Sequence, residues 1–518
     1  MVQKITCIGA GFVGGPLGTV LAFCCPEISV TVVDKNAARI ESWNSDDLPM
    51  YEPGLSDIIA QVRQRKDACN LSFSCEIRKA IVESDIIMLC IDTPTKNHGA
   101  GSGMALDLAH IQEAVRTIGE VATADKIIVE KSTVPGGTTS IIQDLLEAVS
   151  TGTYNFEVLS NPEFLSEGSA VNDLLHPSRV IIGCQRTTSG QLAAEKLAAV
   201  YRRWTPHELI ITMNQWSAEL SKLASNALLA QRISSINSLS AICEAVGADI
   251  NSVAEACGTD PRIGNKMLQS GLGWGGSCFP KDVAALIYLA RSLGLNSVAD
   301  YWAVVLEMNE DQQSRFAKRI LSCMHGCING KLITILGFAF KQNTSDTKNS
   351  PSKNLARELL REGATIHIYD PMVSEAQIYR DVNASDEQSR RLRIFSTAGE
   401  ACAGADAVVV ATEWDQFKTP DICQAPYETN VAVGTNGMHT KDIQNNGAHH
   451  EHETGGIDWA SIVDNMYRPA FIFDGRNILN AQYLESLGCR YVGIGHLSKW
   501  DRQHHGIFAM APKLYGMI

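Results

Sequence analysis

A short apolar run, a glycine turn and a second apolar run ending in aspartate occur twice in this chain. KITCIGAGF near the start is echoed by KLITILGFAF at Lys331, VTVVDKN by ATIHIYDP, and SDIIMLCIDTPT by ADAVVVATEWD. Short continuous apolar runs separated by helical stretches are the pattern of a parallel sheet covered on both faces. The repetition therefore predicts two Rossmann-like, doubly wound α/β domains. Between them NQWSAELSKLASNALLAQRISSINSLSAICEAVG has no proline and no internal glycine. It reads as one long helix, or two nearly continuous ones, opening a central helical domain suited to domain packing or dimerisation. The expected division is 1–213, 214–325 and 326–495, with a tail over 496–518.

At 518 residues the chain is long enough for several domains. With 44 Lys+Arg against 57 Asp+Glu its net charge is −13, which argues against nucleic acid as a partner, since that needs basic patches. No apolar run approaches the roughly 18–20 residues of a membrane span, and the N-terminus reads at once as a strand and turn rather than a signal peptide. The 15 cysteines are scattered, with no C-x-x-C pair. A reducing, cytoplasmic setting is the simplest expectation. Residues about 428–456 form a polar insertion rich in Gly, Asn and His. Its His449, His450 and His452 offer metal ligands, but a solvated insertion is the plainer reading and no metal is expected.

Gly9-Ala10-Gly11-Phe12-Val13-Gly14 fits G-x-G-x-x-G between a strand and a helix. Gly9 permits the tight turn, Gly11 the approach of a pyrophosphate, and Gly14 the packing of helix on strand. Asp34 closes the next apolar run about 20 residues later. A carboxylate there can accept from an adenosine ribose and repels a 2′-phosphate, favouring NAD over NADP, although it could merely cap the strand end. The second turn, Gly337-Phe338-Ala339-Phe340-Lys341, lacks the fingerprint: an aromatic is read in place of the second glycine. It should take a different ligand, Phe340 offering a face to a base and Lys341 a cation to phosphate, unless Phe340 is core and Lys341 surface.

GWGGSCFPKD, residues 273–282, is the most informative decapeptide. Its glycines leave backbone free to approach a ligand. Ser277 can cap, and Pro280 start, the helix KDVAALIYLARSLG. Cys278 would then sit at a helix N-terminus, where the dipole favours a thiolate. A nicotinamide site with a nucleophilic cysteine suggests alcohol oxidation through an aldehyde, a thiohemiacetal and a thioester that water releases as an acid.

GWGGSCFPKD, WSAELSKLASNALLAQRISSINS, EKSTVPGG, SNPEFLSEG, ILGFAFKQNTSDT and PAFIFDGR together resemble the UDP-glucose/GDP-mannose dehydrogenase family, in particular its eukaryotic UDP-glucose 6-dehydrogenases. The likeness runs in order over about 1–495, the insertion excepted. It implies NAD-dependent four-electron oxidation of UDP-glucose to UDP-glucuronate by a homo-oligomer, a dimer or a hexamer built from dimers. Cys278 matches the nucleophile, and Lys222 and Asn226, four apart on one helix face, the oxyanion stabilisers. Asp282 with Thr133 matches the pair that positions water, and Glu163 the base of thioester hydrolysis. Gly9, Gly11, Phe12, Val13, Gly14, Asp34, Arg39, Thr93, Thr133, Glu167 and Lys348 match cofactor contacts. Glu163, Phe164, Leu165, Lys222, Asn226, Arg262, Met267, Gly275, Phe279, Phe340, Lys341 and Arg476 match substrate contacts, Arg262 reaching from a neighbouring subunit. Two departures concern these positions: Lys348 replaces an arginine of animal members and loses its bidentate fork, and Met267 replaces an aromatic near the uridine. Without the resemblance, Lys222 could be a solvated helix residue, Asp282 a first-turn carboxylate and Glu163 a loop charge. The same chemistry on GDP-mannose or UDP-N-acetylmannosamine, or an NAD-binding scaffold without activity, are the alternatives.

Overall fold

A computed structural model describes residues 2–65, 69–150, 152, 154–420 and 456–497. Nearly all of the 428–456 insertion, with its three histidines, and most of the tail lie outside the described residues.

The first sheet has eight strands: β1 (Lys4–Ile8), β2 (Ser29–Val33), β3 (Leu71–Ser74), β4 (Ile86–Leu89), β5 (Lys126–Glu130), β6 (Phe156–Ser160), β7 (Val180–Cys184) and β8 (Ile210–Asn214). Their order in space is β3-β2-β1-β4-β5-β6-β7-β8. The expected parallel sheet holds from β3 to β6. It fails at the far edge, because β7 pairs antiparallel to β6 and β8 runs parallel to β7. The connection from β6 to β7 runs over residues 161–179 and holds the site loop of 161–169 and one six-residue helix, Ala170–Leu175. The final strand, IITMN, is too mixed in polarity to stand out in the sequence. Apolar side chains of the strands alternate into two cores on opposite faces of this sheet.

The second sheet is wholly parallel, in the order β11-β10-β9-β12-β13-β14. Its strands are β9 (Leu332–Leu336), β10 (Thr365–Tyr369), β11 (Leu392–Ile394), β12 (Ala407–Val410), β13 (Phe471–Asp474) and β14 (Arg490–Gly493). The order reverses between β1 and β4 in the first sheet and between β9 and β12 in the second. In doubly wound sheets such switch points open the crevice where ligands bind.

Of the helices, α1 (Gly14–Cys24) follows the first glycine turn directly. The long run is a single 32-residue helix, α2 (Gln215–Val246). Asn214 caps it by accepting from Ser217 N–H, and Gly247, with φ +81°, ends it in the left-handed conformation. Helices α3 (Cys278–Ser292) and α4 (Asn296–Cys323) pack on α2, with Ala227, Ala230, Trp274, Val283 and Ile287 in their shared core. In the second domain α5 (Pro351–Arg361) starts fourteen residues after the turn glycine Gly337.

Candidate active site

The first glycine turn is built by close packing. Gly9 has φ +105°, and a Cβ there would lie 2.3 Å from Cys90 O; a Cβ on Gly14 would lie 1.9 Å from Gly9 O. Neither position can carry a side chain. Gly11 differs: a Cβ there would meet no atom within 4 Å, so its face of the turn is open. Trp43 holds the turn from below, its indole N–H donating to Ala10 O at 2.9 Å. Phe12 and Val13 are half-buried, and Val13 packs against the first core.

Asp34 follows β2 beside this turn. Its Oδ2 accepts from Ala10 N–H at 2.9 Å and from Arg39 at 3.1 Å, and its Oδ1 from Asn36 N–H at 2.9 Å. Oδ1 thus keeps a lone pair for a further donor. The open glycine, the start of α1 and a spare carboxylate acceptor fit the pyrophosphate and ribose of a dinucleotide.

The residues matched to catalytic positions gather where three structural units meet. From α2, Lys222 and Asn226 point one turn apart into the same buried space. Lys222 Nζ donates to Glu163 Oε1 at 2.7 Å, and Asn226 Nδ2 to Asp282 Oδ2 at 2.5 Å. Glu163 follows β6 and also accepts from Leu165 N–H at 2.6 Å. Burial opposes its charge, but Lys222, the Leu165 N–H and Lys131 outweigh that, and its carboxyl sits below the usual range. Burial likewise works against the Lys222 ammonium; Glu163 and Asp282 more than compensate and raise its pKa. Asp282 is raised, mainly by burial, against the pull of Lys281 and Lys222. Its Oδ1 has no hydrogen-bond partner, Lys281 Nζ standing 4.0 Å away. A buried acceptor left free in this way suits a bound water or hydroxyl.

Cys278 opens α3 rather than preceding it, two residues earlier than expected. Pro280 is the third residue of the helix, where its missing N–H costs nothing, and the Ser277 side chain makes no capping bond. The thiol is exposed to the cleft, yet its pKa is raised, chiefly through desolvation by the surrounding protein. Lys222 and Lys281 lower it, while Asp282 and Glu163 raise it. Desolvation and two carboxyls thus oppose the thiolate that a helix N-terminus was expected to favour, and two lysines support it.

The other matched positions divide. Thr93 and Thr133 are buried together, Thr93 Oγ1 donating to Thr133 O at 2.6 Å, with Lys281 Nζ 3.5 Å from Thr93 Oγ1. Phe164 lies under Lys222, whose Nζ is 5.5 Å from the ring centre. Arg476 ties the cysteine loop to the second glycine turn, its guanidinium donating to Gly273 O and Phe340 O, both at 3.2 Å. Gly276 N–H donates to Lys348 O at 2.8 Å, and a Cβ on Gly275 would lie 2.5 Å from Asn349 O. Phe279 packs edge-on to Trp274 at 5.8 Å. Lys341 Nζ donates to Ser166 Oγ at 2.6 Å and Glu167 accepts from Thr344 Oγ1 at 3.0 Å, so both bridge the two α/β domains. Burial, then the nearby Asp346, push Glu167 up to about 7. Two residues stand apart. Arg262 is exposed and bound to Asp260 of its own chain at 2.6 Å. Met267 is exposed with φ +61°.

Sequence reasoning gave no role to Arg179 or Lys281. Arg179 stacks 3.9 Å over the Phe164 ring and donates to Ser225 on α2. Its only sequence signal was a basic residue entering an apolar strand.

Three models of one family match successive parts of the chain: an NAD-binding domain over 3–205, a central domain over 216–311 and a UDP-binding domain over 334–439. The chain belongs to the UDP-glucose/GDP-mannose dehydrogenase family. The UDP-glucose 6-dehydrogenase of Mus musculus is 46% identical over 501 residues, 95% of this chain and 93% of the relative. UDP-glucose 6-dehydrogenase 4 of Arabidopsis thaliana is 44% identical over 512 residues, 96% and 98% of the two chains. Among solved structures, a UDP-glucose dehydrogenase from the archaeon Pyrobaculum islandicum superimposes with a TM-score of 0.76 at 28% identity, covering 96% of this chain and 98% of that one. This dehydrogenase is an NAD-dependent oxidoreductase acting on a nucleotide sugar. Among the described residues no helix is long and apolar enough to cross a membrane.

Proposed function

We propose that this dehydrogenase oxidises UDP-glucose to UDP-glucuronate through a covalent intermediate on Cys278. The observation that carries the reading is the convergence of Cys278, Lys222, Glu163, Asn226 and Asp282 around one cleft. UDP-glucose is preferred over another nucleotide sugar because the mouse and Arabidopsis relatives, similar over nearly the whole chain, carry that name. Bound NAD, held by Gly9, Gly11, Gly14 and Asp34 with Arg39 alongside, supplies a hydride acceptor, used twice per sugar.

The C6 alcohol first loses a proton and a hydride and becomes an aldehyde. Cys278 Sγ then forms a bond to C6 as its proton departs, and the former carbonyl oxygen is protonated to give a thiohemiacetal. Loss of a second proton and hydride leaves a thioester. Lys222 and Asn226 stabilise the oxyanions that form at the C6 oxygen. Water, positioned by Asp282 and Thr133, attacks as Glu163 takes its proton; the C–S bond breaks, and the thiol and the acid are released. One water and two hydride acceptors are consumed, and three protons appear per sugar. Lys222 links the two halves, since its bond to Glu163 must loosen when it turns to an oxyanion.

Phe340, Lys341, Phe279, Gly275, Phe164, Leu165, Met267 and Arg476 are assigned to the nucleotide sugar, and Thr93, Glu167, Lys348, Phe12 and Val13 to the cofactor. Arg262, exposed on its own subunit, is assigned to a neighbour's site, which makes the working form at least a dimer. A cytoplasmic setting agrees with the absence of any disulfide among the described cysteines. The decisive experiment is NADH yield per UDP-glucose, with Cys278→Ser alongside. Two NADH per sugar and loss of acid formation in the serine variant are expected. Accumulation of the six-aldehyde at one NADH per sugar, or near-normal acid formation by Cys278→Ser, would refute the covalent route.

A further inference from the structure

Besides Lys222, a second buried ammonium acts on Glu163. Lys131 follows β5 and is only 5% exposed. Its Nζ donates to Asn161 Oδ1 at 3.1 Å and lies 3.3 Å from the Tyr201 hydroxyl, which itself donates to Asn161 Oδ1 at 2.6 Å. Asn161 is anchored at both ends: its N–H donates to Glu130 O at 2.8 Å and its Nδ2 to Ile181 O at 2.7 Å. Lys131 stands two residues before Thr133, and Asn161 two residues before Glu163. The lysine–asparagine–tyrosine knot thus joins the loop after β5 to the loop after β6. A buried lysine is costly unless its charge is used or well paired. No carboxylate is recorded within ion-pair distance of Lys131 among the described residues; its nearest recorded acceptors are neutral.

Resting on the reading of Glu163 as the base of thioester hydrolysis, we propose that Lys131 is a positioning residue for that step. It locks the Thr133 and Glu163 loops together through Asn161 and supplies the fixed positive charge that keeps Glu163 in its carboxylate form. Burial, helped by Lys222, brings Lys131 itself down to about 8, against Cys90, Glu163 and Glu130, which raise it. Below that pH the charge is present. Glu163 faces Lys222 and Lys131 as cations, with Asp282 and Cys278 across the same space.

The test follows decay of the acyl-enzyme in single turnover against pH. In the unaltered protein the rate should fall on the acid side as Glu163 protonates. Lys131→Met keeps bulk and removes charge; the acid limb should move up by about half a pH unit or more, roughly a threefold loss on the limb, with NAD affinity unchanged. Lys131→Arg should restore the limb. Lys131→Gln, which can still donate to Asn161 without charge, covers the case in which the methionine variant does not fold, and should shift the limb equally. A uniform loss of rate at every pH, or an unmoved limb in the uncharged variants, would overturn the proposal. Glu163→Gln separates the two readings: if the limb survives in that variant, the base assignment itself fails; if the limb vanishes there but ignores Lys131, only the present inference does.

Discussion

The two glycine turns of this chain share one backbone and serve opposite ends. In each, the turn glycine has a positive φ, +105° at Gly9 and +95° at Gly337, and its N–H donates to the end of the neighbouring strand, to Val33 O and Tyr369 O, both at 2.8 Å. In each, an aspartate ending that strand accepts from the turn amides: Asp34 from Ala10, and Asp370 from Phe338 at 2.6 Å and Ala339 at 2.9 Å. There the likeness stops. Asp34 keeps an acceptor free. Asp370 is filled, with Trp414 Nε1 on Oδ2 and the Met372 and Val373 N–H groups on Oδ1. The first turn runs directly into α1, whose amides are left for an anion. The second is extended by residues 340–350, which reach Ser166, Glu167 and Gly276 before α5 begins. Contrary to the expectation from sequence, no aromatic replaces the second glycine: Ala339 stands at the place of Gly11, and the buried Phe338 at that of Ala10. The second turn is closed to a dinucleotide less by a bulky side chain than by a spent aspartate and a missing helix start. The same framework is satisfied from within in one domain and keeps an open glycine and a spare acceptor in the other.

The comparison predicts, first and largest, that Gly9→Ala and Gly337→Ala damage folding alike. Each new Cβ meets fixed atoms, Cys90 O at 2.3 Å or Thr412 Cβ at 2.4 Å, at a φ that alanine resists. A loss of about 3 kcal/mol or more is expected for either, seen by chemical denaturation; a tolerated alanine at one site alone would break the symmetry. Second, Asp370→Asn should cost about 2–4 kcal/mol, since an amide cannot satisfy the donors around it as a carboxylate does, while the KM for NAD stays unchanged. Third, Gly11→Val should leave the melting temperature near that of the parent, because its Cβ position is open, yet lower kcat/KM for NAD by roughly a hundredfold, about 2.7 kcal/mol of lost transition-state binding. Equal stability and equal activity would mean that the open face is not the cofactor's. Smallest, Asp34→Asn should narrow the preference for NAD over NADP about tenfold by removing the carboxylate's repulsion of a 2′-phosphate; unchanged selectivity would move that discrimination to Arg39 or elsewhere.

Much of the fold was legible because strands buried on both faces must be apolar throughout, and that signal survives in KITCI, SVTVV, IIML and LITIL without any partner. Long α2 was legible for a similar local reason: no breaker interrupts it, Asn214 begins it and Gly247 ends it. The weaker edges were not. IITMN at β8 and RYVG at β14 are fixed by their neighbours, and the reversal at β7 leaves no mark in an apolar run that reads the same in either direction. The chemistry divides the same way. The residues themselves pointed to Cys278 and to the Gly9–Gly14 turn with Asp34 as candidate sites, whereas Lys222, Glu163 and Asp282 were singled out only through the family resemblance. Their charge states were decided only in three dimensions, where residues far apart in sequence share one desolvated space. Glu163 is lowered by Lys222 of α2, and Cys278, though exposed, is raised by desolvation from the protein around it, which a helix-end argument does not foresee. Sequence sets which groups and backbone geometries are available, because these depend on near neighbours along the chain. Tertiary structure sets which of them pair, which stay free and which keep their charge, because electrostatic and packing energies depend on distance through space.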